Sequence, residues 1–160
     1  MKEYNGTPYI EIYDVFLNSI TDERYAAMEE AELMEELLPF LKRAIYYLCR
    51  LAKQTTYRSV DEVGYDLHDR DDVAYRFAEE LSEHEINCLA WAMVVCWSEQ
   101  QMNSTRLIKN IYYDAGIKTY SPNETLKNLI TLHDTYYKQL KNLLTEYTYK
   151  VMDISQFGGK

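Results

Sequence analysis

The sequence predicts an all-α protein: a bundle of four to five helices with a central apolar helix and an extended C-terminal tail. Three observations carry this expectation. Apolar residues recur at steps of three and four along most of the chain, and capping residues stand where those runs begin. Five Gly and three Pro in 160 residues are too few for the many tight turns of a sandwich or barrel. With 47% hydrophobic residues, the chain can enclose one core. The expected division is a helical domain over 1–149 and a docking tail over 150–160.

Ile10, Tyr13, Leu17 and Ile20 fit one face of a short first helix. Thr21 reads as the N-cap of the next segment, with Asp22 and Glu23 in its positive first turn. From about Ala31 to Lys53 an apolar set that includes Leu37, Leu41, Ala44, Ile45 and Leu48 keeps helical period. Pro39 falls inside this run, lacks an N–H and crowds the carbonyl of Glu35, so a kink or second start is expected. Thr55 to Asp72 has no clean period and reads as a long loop.

Ser82 and Glu85 form a capping box. The helix it opens passes through Ile86, Leu89, Met93 and Trp97 to about Met102. It is apolar nearly all round from Cys88 to Trp97, the pattern of a helix covered on most sides, and is expected at the centre. Asn103-Ser104 reads as the start of a shorter helix through Leu107, Ile108 and Ile111, ended by Gly116. Ser121-Pro122-Asn123-Glu124 is a second capping box, with Pro at the first helical position. The stripe that follows is Leu126, Leu129, His133, Tyr136, Leu140, Leu143 and Tyr147, alternating steps of three and four. That is the seam of a long helix packed on another, inside the domain or between subunits.

The formal net charge is -9, which repels bare nucleic acid. Charge is unevenly placed. Positions 1–36 hold ten acids against Lys2 and Arg24, and Lys42 to Arg58 holds five bases and no acid. Solvated helix faces account for this, and so does steering of head-to-tail association between copies. Cys49, Cys88 and Cys96 show no metal-type spacing, and the last two lie in the apolar run, as free thiols of a reducing compartment do. The longest apolar run is ten residues, half of the roughly 20 needed to cross a bilayer, so no membrane partner is expected.

No catalytic constellation is legible. The five glycines are scattered, which excludes a phosphate-binding loop. The residues three before His68, His84 and His133 are Tyr65, Leu81 and Ile130, so the Glu-x-x-His pairs of a di-iron bundle are missing. The cluster Asp66, His68, Asp69, Asp71 and Asp72 lacks the turn glycine of a calcium loop and contains Arg70; a solvated acidic loop is the reading favoured over a metal site. No enzyme activity, cofactor or metal is expected. Tyrosine is the compositional outlier, sixteen in all, with adjacent pairs at Tyr46-Tyr47, Tyr112-Tyr113 and Tyr136-Tyr137. Helix neighbours point about 100° apart, so some of these rings must reach the surface. Binding surfaces enriched in tyrosine are the reading favoured over genomic codon bias.

Two stretches resemble the small helical neck proteins of tailed bacteriophages, the head–tail connector or adaptor class. One is Leu81-Ser82-Glu83-His84-Glu85-Ile86 leading into the apolar helix and then Gln101-Met102-Asn103-Ser104. The other runs from Tyr120-Ser121 to Thr145-Glu146-Tyr147-Thr148-Tyr149. The acidic run Thr21–Glu36 is similar in character. The resemblance implies a structural virion protein made in the host cytoplasm. It would form a homo-oligomeric ring, of about twelve copies in the family, bound to the portal protein and to further neck and tail proteins. Genome DNA would pass through its channel without sequence-specific binding, and an acidic wall would let the DNA slide. The resemblance also implies a C-terminal segment that docks on the portal. Tyr149, Val151, Met152, Ile154 and Phe157 are its candidate anchors, with strand addition to a partner sheet as the mode. The alternative is an acidic intracellular regulator that binds a basic partner by charge, with DNA mimicry as one mode.

Overall fold

In a computed structural model of the chain, residues 4–55, 67, 69–114 and 122–151 are described. The protein is an all-α bundle. Its elements are α1 (Tyr9–Ser19), α2 (Glu23–Ala26), α3 (Glu30–Thr55), β1 (Arg70–Asp71), β2 (Arg76–Phe77), α4 (Glu83–Asp114) and α5 (Pro122–Val151). Helix α4 packs against α1, α3 and α5. Its residues Cys88 to Ala90 and Ala92 to Ser98 are all buried, and Leu89 and Met93 have no exposed surface. The uniformly apolar run therefore has cover on nearly every side, with only Trp91 half exposed.

The capping box that opens α4 is made. The Ser82 N–H donates to Glu85 Oε2 at 2.6 Å, and the Glu85 N–H donates to Ser82 Oγ at 3.3 Å. No break follows at Asn103-Ser104: α4 is one helix of 32 residues, about 48 Å long. Ser and Asn are permissive starts, and nothing in that turn stops a helix already under way. Pro39 likewise sits inside a continuous α3, with its ring exposed. The lost hydrogen bond falls on the solvent side, where water replaces it.

Two details of the first third differ from expectation. The cap of α2 is Asp22, one residue after Thr21; its carboxylate accepts the Arg24 N–H. The inward face of α1 is Tyr9, Ile12, Tyr13 and Phe16, while Ile10, Leu17 and Ile20 are only half buried. Phe16 stacks on Phe40 of α3, with ring centroids 6.4 Å apart, while Tyr9 packs on Phe77 at 5.0 Å, so the aromatic face of α1 is the one turned inward.

Part of the expected loop is a small sheet. β1 pairs antiparallel with β2, and the N-terminal segment joins it at Pro8, opposite Arg76. The N–H of Gly6 donates to the carbonyl of Phe77, and the N–H of Phe77 donates to that of Thr7. A side chain on Gly6 would collide with the backbone of Glu79, so glycine is required for this approach. Asp71 caps the turn by accepting the N–H groups of Val73 and Ala74. Tyr75 closes it with a left-handed φ of 52°, held there because its carbonyl accepts the Tyr9 N–H.

Asp72 ties these pieces to the bundle. It accepts the Tyr9 hydroxyl at 2.7 Å, Arg70 Nε at 3.1 Å and Lys42 Nζ of α3 at 3.1 Å. Burial pushes its carboxyl up, but the donors from Tyr9, Lys42 and Arg70 outweigh this and hold it below the usual range. Burial, with the same hydrogen bond, pushes the Tyr9 hydroxyl far up. Tyr13, one turn on, is equally enclosed, yet its hydroxyl has no hydrogen-bond partner among the described residues.

The two tyrosines make a matched test. Tyr9→Phe removes a hydrogen bond to a charged group and should cost about 1.5–3 kcal/mol in urea denaturation. Tyr13→Phe removes an unsatisfied hydroxyl and should leave stability unchanged or higher by about 1 kcal/mol. Equal losses in both variants would mean that the Tyr13 hydroxyl is satisfied.

Candidate docking surfaces

Helices α4 and α5 form an antiparallel hairpin whose contacts run in register. At one end His84 Nε2–H donates to the Leu143 carbonyl at 2.8 Å, which fixes the proton on that nitrogen because a carbonyl only accepts. Midway, Trp91 packs on Tyr136 with ring centroids 5.8 Å apart. Further on, His133 Nε2 lies 3.4 Å from Glu99 Oε1, and the His133 ring stacks on Tyr137. Continuing that register sets about residues 105–110 of α4 beside the start of α5.

Cover is lost along this path. Buried residues on α4 end at Met102, and from Asn103 to Asn110 every described side chain is exposed or half exposed. On α5, the only buried residues among the described side chains are Leu140 and Leu144, both near the His84 end. Among the described residues, no third helix covers the far end of the hairpin, which exposes Leu107 at 65% and Ile108 at 43%. These two point about 100° apart, so the apolar surface spans more than one side of α4. Ile130 and Leu132, at 38% each, are exposed nearer the middle of α5, at the level of Trp97 to Met102. Leu107 and Ile108 make this end of the acidic chain a candidate interaction surface.

Along the predicted seam, Leu140 is fully buried, and Leu126, Leu129, Tyr136 and Leu143 are half buried. Leu144 is buried beside them. Tyr147 lies on α5, but its side chain is outside the described set. Among the predicted tail anchors, Tyr149 and Val151 belong to the backbone of α5, which runs two residues past the expected boundary. Met152, Ile154 and Phe157 lie outside the described residues, as do Ser121, Gly116 and the loop residues Asp66 and His68. Ile130 and Leu132 were missed because they fall off the three-four stripe; an apolar residue off the seam is itself the signal for a second face.

A second surface lies between α3 and α4, an open groove of about 460 Å3 lined by Lys42, Arg43, Tyr46, Tyr47, Cys96 and Glu99. Arg43 reaches Glu99 at 3.7 Å, and Tyr46 is 69% exposed. Burial pushes the Cys96 thiol up to about 11, opposite to what a nucleophile needs. Burial also pushes up the Tyr136 hydroxyl. Among the described residues, no group of three or more His, Cys, Asp or Glu stands close enough to hold a metal, and no helix is long and apolar enough to cross a membrane.

Contrasting substitutions on the hairpin test this division. Leu107→Asp at the open end should change unfolding free energy by no more than about 0.5 kcal/mol. Leu140→Ala should cost about 2–5 kcal/mol. A Leu107→Asp loss comparable to that of Leu140→Ala would show that the open end is covered. No family model matches this chain, and no curated protein or solved structure is detectably similar to it.

Proposed function

We propose that this chain is a structural docking protein of a tailed-phage virion neck, a head–tail connector or adaptor that forms a ring between portal and tail. The observation that carries the reading is the open end of the α4–α5 hairpin, which exposes apolar residues on more than one side. Such an arm is suited to sit between two neighbours, as each subunit of a closed ring does. The protein acts by binding, with no chemical step and no cofactor. Its partners are further copies of itself, the portal protein and other neck or tail proteins. The surplus of acid repels the genome's phosphates, so DNA slides past without sequence-specific contact. The segment from Met152 onward docks on the portal by adding to a sheet edge. Its place of action is the assembled virion, after synthesis in the host cytoplasm.

The exposed acids Glu29, Glu30, Glu32, Glu35 and Glu36 favour a second reading, an acidic regulator that grips a basic partner. Its mark is tight binding to a basic protein that weakens steeply with salt.

Imaging of portal particles reconstituted with the purified chain separates the two. The neck reading predicts a ring of density at the portal vertex. Removal of residues 152–160, which leaves α5 whole, should hold the melting temperature within about 1 °C while abolishing that density. Portal particles that never bind the full-length chain would contradict the reading.

A further inference from the structure

Helix α3 carries a face that reverses sign along its length. Glu32, Glu35, Glu36, Lys42, Arg43 and Tyr46 are all exposed, as is Pro39 between them. At 100° per residue these positions fall within a sector of about 120°, so they form one continuous stripe. Its first half is purely acidic. Its second half is basic and ends at Tyr46, 69% exposed beside the open groove between α3 and α4. The Lys42 and Arg43 side chains are 47% and 55% exposed, so their internal pairs with Asp72 and Glu99 leave donors facing solvent.

A stripe that is acidic at one end and basic at the other complements itself when two copies lie antiparallel. We propose that this face of α3 is a two-fold contact with a second copy of the chain, centred on Pro39. With Pro39 on the axis, Glu35 of one copy faces Arg43 of the other, Glu36 faces Lys42, and Glu32 faces the Tyr46 hydroxyl. Each contact occurs twice, as an isologous interface requires. The compact ring of Pro39 at the crossing lets the helices approach, and Tyr46 brings the large aromatic area with a polar tip that interfaces favour. Ion pairs at a wet surface are individually weak, so the dimer is one of low salt and high protein concentration. The contact is separate from the hairpin end and stands whether or not the neck reading holds.

Sedimentation velocity on the full chain tests it through charge reversal. One variant, Glu35→Lys with Glu36→Lys, leaves only Glu32 acidic on the stripe; the other, Lys42→Glu with Arg43→Glu, has an all-acidic one. Wild-type chain should dimerise at low salt and be monomeric near 1 M, where the Debye length is about 3 Å. Each variant alone should be monomeric, and an equimolar mixture, which restores the same four ion pairs, should dimerise about as tightly as wild type. Should loss of the Lys42–Asp72 pair impair folding, judged by circular dichroism, the single changes Glu35→Lys and Arg43→Glu serve as the mixing pair. A mixture that stays monomeric, a single variant that still dimerises, or a wild-type chain that is monomeric at low salt or dimerises regardless of salt overturns the proposal.

Discussion

The structure depends on hiding the apolar run of α4 from water. From Cys88 to Trp97 that helix has almost no polar side chain to present, so partners must stand on every side. Helices α1, α3 and α5 take those places. Other features follow from holding them there. The Ser82–Glu85 box sets where α4 begins, and the Trp97 indole N–H donates at 3.1 Å to Asp22, the residue that caps α2. Hydrogen bonding to Arg24, which outweighs the cost of burial, holds the Asp22 carboxyl below its usual range, so it is charged while it serves as cap. The Asp72 cluster fastens the small sheet against α1 and α3 in the same way.

The same constraint explains where the molecule is open. Once α4 passes Met102 its sequence turns polar, through Asn103, Ser104 and Arg106, and no longer demands cover. Among the described residues, only α5 accompanies it there, and Leu107 and Ile108 stand exposed. The covered and open stretches are thus two parts of one helix, divided by composition.

Period and capping made most of the helical fold legible. The burial of α4 could be read because its hydrophobicity has no polar side, and the start of α5 because Ser121-Pro122-Asn123-Glu124 joins a capping residue to a Pro at the first helical position. The rotation of α1 could not be read, since Ile10, Leu17 and Ile20 look as apolar as Tyr9, Ile12 and Phe16; the choice depends on how α1 packs on α4, Phe40 and the small sheet. The sheet was hidden because two-residue strands have no period to detect, and its register comes from backbone bonds to Gly6 and Thr7. No second start occurs at Pro39 and no break at Ser104, because a single Pro, Asn or Ser is a weak signal inside a helix that is already propagating. The docking surface was legible only in part. Leu107 and Ile108 were visible as an apolar face, but its lack of cover depends on where α1 and α3 end.

The division of α4 into a covered half and an open half is the claim on which the functional reading rests. Native-state hydrogen exchange of the free protein, resolved by residue along α4, tests it most directly. The amides of residues 88–97 should exchange only through global unfolding, with the full denaturant dependence of that event. Those of residues 104–110 should exchange through local opening at a free energy several kcal/mol lower, with little denaturant dependence. Equal protection along the whole helix would contradict the account, because it would mean that the hairpin end is held as firmly as the core.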